Sequence, residues 1–251
     1  MGQYVGREGE RGDVVAEEFE GEDFSEAMFW GVDLTKSTWR DVNFTGARMK
    51  SVWVVDVDID GSVDRLVVNG VDVTEFVNEH DIWYPLRGML RPTDVAGVRA
   101  ALDALAAAWS ATIDDARSLS DAQLHESVGG EFSFIQTQQH LVFGVDKWFR
   151  VPLLGQNTFH ALGLPNTGSR DFGWNGIDLD ERPSLDEVLA VRAGQSAQLG
   201  VFVDSLSDDD FGREVEVLEN GTVPLIECFY TVFEESFEHH RYALRDLAEL
   251  K

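Results

Sequence analysis

The sequence EESFEHHRYALRDL occupies residues 234–247 and holds the most informative pattern in the chain. Glu235 and His239 stand four residues apart, so in a helix their side chains lie on one face. Pro224 lies upstream, where a proline suits the first turn of a helix. The stretch therefore predicts a helix over about residues 224–249 that presents a carboxylate and an imidazole side by side.

A second helical run further upstream carries His140. Residues 134–143 read FIQTQQHLVF, inside a helix predicted from about Ser133 to Phe149 and ended by Pro152. If the two helices face each other across a bundle, they offer two imidazoles and one carboxylate, a donor set that leaves coordination positions open on a metal ion. By spacing alone, a Glu-His pair four residues apart is more often a solvated surface pair, so both interpretations stay open.

The pattern from residue 93 onward is mostly helical. Apolar residues at three- and four-residue spacing predict a helix over about residues 94–118, and a capping-box pattern opens another over about residues 185–204. The segment 153–183 is rich in Gly, Pro and Asn, and a loop of that length inside a compact domain is more often functional than idle. Four helices with one long crossover predict a four-helix bundle, an architecture that builds metal sites from facing helices.

A different period marks the segment before the helices. Apolar residues recur at an interval of five, at Phe24, Phe29, Leu34, Trp39, Phe44, Met49, Val54 and Ile59. Because this period fits neither a helix nor a strand, it predicts a square coil with apolar residues stacked inward. The segment resembles the pentapeptide-repeat family, which implies two turns of a right-handed β-helix about 10 Å high. Residues 66–73, centred on Asn69-Gly70, predict a hairpin after the coil.

The amino-acid composition excludes several kinds of partner and site. The 251 residues are 43% hydrophobic and carry a formal net charge of −26, which repels phosphate backbones and argues against a nucleic-acid partner. No apolar run is long enough to span a membrane and the N-terminus lacks a signal-peptide pattern, so a soluble, cytoplasmic protein is expected. The single cysteine, Cys228, excludes an internal disulfide and a thiolate-rich metal site. Any metal must take nitrogen and oxygen ligands.

Three parts are predicted along the chain. Residues 1–23 carry eight acidic residues against two basic ones and read as a flexible acidic tail. Residues 24–73 comprise the repeat and the hairpin, and residues 74–251 the helical bundle. The predicted fold class is mainly α, with a short β-helix before the bundle.

Three stretches resemble signature regions of the DinB/YfiT-like superfamily, in particular its actinobacterial members. They are residues 137–148, which read TQQHLVFGVDKW, the helical stretch 234–247, and the loop Phe159–Pro165. The resemblance covers about residues 71–250. It implies a four-helix bundle that binds a divalent metal, often zinc or nickel, through one histidine in the second helix and a His-x-x-x-His pair in the fourth.

The resemblance assigns His140 as the first ligand and leaves two registers for the pair in the last helix. No histidine lies four residues before His239 or His240; the residues there are Glu235 and Ser236. Because serine is a poor ligand, the chemistry favours Glu235 with His239 and leaves His240 beside the site or in solvent. Two histidines and a carboxylate also match the ligand set of non-haem iron enzymes, so iron or manganese is an alternative metal.

The family includes thiol S-transferases that use bacillithiol or mycothiol, and a mycothiol-dependent isomerase. The resemblance thus implies a metal-activated external low-molecular-weight thiol and a small-molecule electrophile. Cys228 itself lies in an apolar stretch and is predicted to pack in the core. The alternative hypothesis is a non-enzymatic interaction protein whose acidic repeat segment docks a partner or mimics DNA.

Four further residues are candidates around the site or the substrate: His240, His160, Trp148 and Arg241. For His160, in the long loop, a packing role is favoured over approach to the metal. Trp148 fits the core or a site wall, and Arg241 fits an acidic substrate or an ion pair inside the bundle. Members of the family often form dimers, so a homodimer is compatible with the resemblance, although no apolar stripe requires one.

Overall fold

The structure is a computed structural model that describes residues 19, 21–40, 42–166 and 173–251. The chain divides into two compact units, the first ending at Asp58 and the second comprising Ile59–Lys251. The predicted acidic tail, residues 1–23, lies largely outside the described residues. The predicted domain boundaries at residues 23 and 73 stay predictions.

The first unit contains regularly spaced turns. Backbone N–H groups of Ala27, Ser37 and Ala47 donate to the carbonyl groups three residues earlier, at 3.0, 3.1 and 2.9 Å, so these turns recur every ten residues, or two repeat units. Within residues 19–58, the described positions contain no strand and no buried side chain. The two-turn β-helix predicted for this segment therefore stays a prediction.

The second unit is mainly helical. Its described residues form seven α-helices: α1 Thr74–His80, α2 Tyr84–Arg87, α3 Val95–Ala116, α4 Asp121–Leu124, α5 Phe134–Val145, α6 Leu185–Asp204 and α7 Leu225–Leu250. A π-helical turn, Asp146–Arg150, extends α5. None of the helices in the described ranges is long and apolar enough to cross a membrane.

The four long helices confirm the four predicted from the sequence to within a few residues. Three of the helix starts are capped by a side chain: Asp94 for α3, Ser133 for α5 and Ser184 for α6. Ser184 and Glu187 form the predicted capping box. The difference is the π-helical turn after α5, where the Val151 N–H donates to the Asp146 carbonyl oxygen at 2.9 Å.

The four long helices pack around a common core. The closest neighbours are α3 with α7, α5 with α6, and α5 with α7, while the contact between α3 and α6 is smaller. Phe229, Phe233 and Phe237 of α7 are at most 1% exposed. Burying one such side chain contributes about 1.5–3 kcal/mol to the free energy of unfolding. The core therefore fixes the rotation of α7, and with it the direction of the polar residues between these phenylalanines.

Two short hairpins complete the second unit. Strands β1 (Val67–Val68) and β2 (Val71–Asp72) pair antiparallel and confirm the predicted hairpin. At its turn Asn69 and Gly70 have φ angles of 52° and 84°, the positive values that an Asn-Gly turn accommodates. Strands β3 (Glu214–Glu216) and β4 (Thr222–Pro224) form the second hairpin and lead directly into α7.

Candidate metal centre

Helices α5 and α7 bring three predicted ligand residues together. His140 lies in the middle of α5, and Glu235 and His239 lie one turn apart on α7. The Nε2 atom of His140 is 3.2 Å from the Glu235 Oε2 atom, and the Nε2 atom of His239 is 3.3 Å from the same oxygen. One potential ligand atom from each residue lies within 4.8 Å of the others. In the described ranges this is the one such group of three.

A backbone contact from the long loop fixes the ring of His140. Its Nδ1 atom lies 2.9 Å from the Leu164 carbonyl oxygen. Because a carbonyl oxygen only accepts hydrogen bonds, Nδ1 carries a proton, and Nε2 faces Glu235 either with the lone pair of the neutral ring or with the second N–H of the protonated ring. Two acceptors facing each other at 3.2 Å require a positive charge between them, either a ring proton or a cation. A histidine held through its second nitrogen in this way is the usual arrangement of a metal ligand.

The three side chains differ in exposure. His140 and His239 are 8% and 17% exposed, whereas Glu235 is 38% exposed, so the site is open on the carboxylate side. Burial raises the pKa of the Glu235 carboxyl, but the hydrogen bonds and charges of the two imidazoles outweigh it and hold that pKa well below its usual range. Glu235 is therefore an anion at neutral pH, as a metal ligand must be.

Aromatic side chains form the walls of the group. The ring of Phe132 lies 5.3 Å from that of His140 and 6.5 Å from that of His239, measured between centroids. Tyr242 approaches His239 edge-on at 5.9 Å. Neither aromatic residue is marked by periodicity, and Phe132 precedes the helix, so the sequence reasoning missed both. They place apolar ring surface next to both imidazoles.

The neighbouring imidazole, His240, points elsewhere. It is 5% exposed, and its Nε2 atom lies 2.9 Å from the Thr112 Oγ1 atom of α3. Burial lowers the pKa of His240, an effect that a hydrogen bond with the Ala108 backbone opposes. Ser236 is likewise directed at α3, where its hydroxyl accepts from the Trp109 indole N–H at 3.0 Å. The structure thus groups Glu235 with His239 and separates the alternative pair, Ser236 and His240.

The other candidates are placed outside the group of three. The Nδ1 atom of His160 accepts from the Leu162 N–H at 3.1 Å. Trp148 packs against the larger core cluster. Arg241 pairs with Asp60 at 2.5 Å and with Glu238 at 3.0 Å. Its charge is thus compensated by protein carboxylates.

A buried carboxylate, Asp146, anchors the long loop next to the site. It is 0% exposed and accepts hydrogen bonds from the Arg150 guanidinium at 2.5 Å, the Gln195 side-chain amide at 2.8 Å and the His160 backbone N–H at 2.6 Å. His160 lies four residues before Leu164 in the same loop. Asp146 therefore helps to hold the loop segment whose Leu164 carbonyl group fixes His140. The sequence alone gives no signal for this role.

The donor set suits a divalent transition metal. Two imidazole nitrogens and one carboxylate oxygen fit zinc, nickel or iron, and three protein ligands leave positions for a substrate. The two histidine nitrogens lie 3.2 and 3.3 Å from the Glu235 Oε2 atom, distances that either ring protons or a shared cation can bridge. The residues present therefore fit such an ion.

Comparisons with known proteins give one match. The model of the DinB superfamily matches residues 104–243, more than half of the chain and a range that contains all three grouped residues. The searches of curated proteins and of solved structures found no significant match. The match and the helical fold agree, and the chain belongs to the DinB superfamily.

Proposed function

We propose that this chain binds one divalent metal ion through His140, Glu235 and His239 and uses it to activate an external low-molecular-weight thiol for transfer to an electrophile. The observation that carries the proposal is the orientation of the His140 ring, whose Nδ1 atom contacts the Leu164 carbonyl while its Nε2 atom faces the Glu235 carboxylate. Membership in a superfamily whose members often bind a metal supports it. We propose zinc or nickel as the metal, with iron or manganese as alternatives for the same donors.

When bound, a divalent ion supplies Lewis acidity to a thiol sulfur or a substrate oxygen. The chain's own residues orient the ligands and define the open side of the site. The Leu164 carbonyl keeps the proton of His140 on Nδ1, so that Nε2 stays free to bind. Phe132 places its ring beside both imidazoles. The half-exposed Glu235 marks the side from which a small molecule enters.

The thiol in this proposal comes from outside the chain because Cys228 is unsuited to react. Its side chain is 1% exposed, and burial, aided by the charge of Glu227, raises the pKa of the thiol to about 12. At pH 8 the reactive thiolate of native Cys228 is therefore about a thousandfold rarer than for a thiol at the ordinary value of 9.0. We expect a pyridyl disulfide reagent to modify Cys228 at least about a hundredfold faster in denaturant than in the native protein. Native modification at the unfolded rate would contradict the assignment.

Thiol-transfer assays test the reaction. The metal-loaded protein is incubated with mycothiol or bacillithiol and a chromogenic electrophile, and the rate of conjugate formation is compared with the uncatalysed rate. We expect acceleration in the wild type, its loss in His239→Ala, and its retention in His80→Ala, which removes an exposed histidine far along the chain from the group. Full metal occupancy without acceleration for either thiol would contradict the transferase and leave metal binding standing.

The proposal extends to the location, origin, partners and oligomeric state of the protein. We propose a cytoplasmic, actinobacterial protein with a small-molecule thiol or electrophile as partner, no nucleic-acid partner, and a homodimer as a compatible state. Residues 24–59 are proposed to form the pentapeptide coil. Deletion of residues 1–58 tests the alternative hypothesis of a docking segment: lost partner binding with retained metal binding would favour it, and global unfolding would indicate a structural role.

A further inference from the structure

Arg192 on α6 carries a charge that is uncompensated inside the helical bundle. Its Nη1 atom donates to the side-chain oxygen of Gln138, and its guanidinium lies 4.8 Å from the centre of the Trp109 ring. Gln138 and Trp109 are buried, at 0% and 3% exposure. Among the described residues, no carboxylate lies within ion-pair distance of Arg192.

The other arginines that the second unit buries to a similar degree are paired with acids. Arg87 contacts Asp60 and Asp81, and Arg150 contacts Asp146. Removing a charge from water costs free energy unless a partner compensates it, and an apolar residue of similar volume is often neutral or better at such a place. Burial lowers the pKa of Arg192 to about 10, so the guanidinium is still charged at neutral pH. An arginine without a carboxylate partner at such a place favours the binding of an anion.

Gln138 supplies a second, independent sign of a ligand. Its oxygen is used by Arg192, and its Nε2 donor is buried without any partner. A buried donor left unpaired costs about 1–3 kcal/mol. The Gln138 Nε2 donor therefore lacks an acceptor beside a guanidinium that has no carboxylate partner among the described residues.

The guanidinium lies where α3 and α6 face each other, because Arg192 of α6 contacts the Trp109 ring of α3. These two helices contact each other less than the other neighbouring pairs do. Two exposed ion pairs join them towards their ends, Arg99 with Asp204 and Arg117 with Asp186. Arg192 lies between these pairs along α6 and is half-buried, so part of it reaches the surface.

We propose that Arg192 and Gln138 form a binding site for a small carboxylate in the α3–α6 groove. A guanidinium presents two parallel N–H donors that match the two oxygens of a carboxylate, and the Gln138 amide adds a third donor. The site is separate from the group formed by α5 and α7, because Gln138 and His140 are two residues apart in a helix and face opposite sides of it. It goes beyond the proposed thiol chemistry and needs no metal.

Acetate titration of the chelator-treated protein tests this site. The midpoint of thermal unfolding is measured against acetate concentration, with the ionic strength kept constant by sodium chloride. We expect a saturable rise in the wild type, since a ligand that binds only the folded state stabilises it. The apparent affinity should fall at least tenfold in Arg192→Met, which keeps an unbranched apolar stem. It should be unchanged in Arg99→Met, the matched removal of an arginine from the same groove.

Circular dichroism establishes that each variant is folded. If Arg192→Met does not fold, Arg192→Lys replaces it, and the loss of the parallel donors is again expected to weaken acetate binding at least tenfold. A linear response without saturation, or equal saturation in wild type and the Arg192 variant, would overturn the proposal. The proposal would also be overturned if sedimentation showed that Arg192→Met abolishes dimer formation. The carboxylate bound by Arg192 would then be a side chain of a second copy of the protein.

Discussion

Purified protein reconstituted with a divalent metal is expected to retain close to one ion per chain, whereas His140→Ala retains close to none. His140 supplies one of only three donors in the group, and its ring is already held in place by the Leu164 carbonyl. Loss of an outer-shell partner lowers metal affinity about 10- to 100-fold, and loss of a direct ligand is expected to exceed that range. Elemental analysis after dialysis and competition with a chromophoric chelator give the stoichiometry and the affinity.

The neighbouring histidines of α7 provide the matched pair of controls. His239→Ala should lose the metal as His140→Ala does, because its Nε2 atom meets the same Glu235 oxygen. His240→Ala should keep it, but lose about 1–3 kcal/mol of unfolding free energy, since the Thr112 hydroxyl loses a buried partner. Metal retention in His140→Ala, or loss of metal from a folded His240→Ala, would contradict the assignment of ligands.

The sequence predicts the parts of this structure that depend on local periodicity. The four long helices follow from apolar spacing and capping residues, and the Asn69-Gly70 hairpin from its turn. The two members of the candidate site on α7 follow from helical geometry alone, because Glu235 and His239 are one turn apart in any helix. Placing His140 against them needs the packing of α5 on α7, which spacing suggests and the family resemblance implies.

The contacts that support the site could not be predicted, because each joins residues with no shared pattern in the chain. The Leu164 carbonyl reaches His140 from an irregular loop, and Phe132 reaches it from before the first turn of α5. The rotation of α7 decides between His239 and His240, and that rotation is set by the buried phenylalanines rather than by the histidines. The five-residue period of residues 24–59 is clear in the sequence, but its three-dimensional arrangement depends on stacking between turns, which spacing does not determine.

Asp146→Ala is expected to lower the free energy of unfolding by about 3–5 kcal/mol. The substitution removes a fully buried carboxylate that accepts from Arg150, from the Gln195 amide and from the His160 backbone. The guanidinium then loses its counter-charge, the His160 N–H loses its acceptor, and the Gln195 amide keeps only the Val142 carbonyl. Urea denaturation of the chelator-treated protein measures the change without a contribution from metal binding.

A second effect of the same substitution links the loop to the candidate metal centre. Without the bond from Asp146 to the His160 N–H, the segment that carries Leu164 is less well held, and the orientation of His140 loosens with it. Metal affinity should therefore fall about tenfold or more, at temperatures where the variant is still folded. Asp204→Ala is the matched control, since it removes an exposed partner of Arg99 and should change stability by less than about 1 kcal/mol. A destabilised Asp146→Ala protein with unchanged metal affinity would separate the two effects and show that the loop holds His140 without help from Asp146.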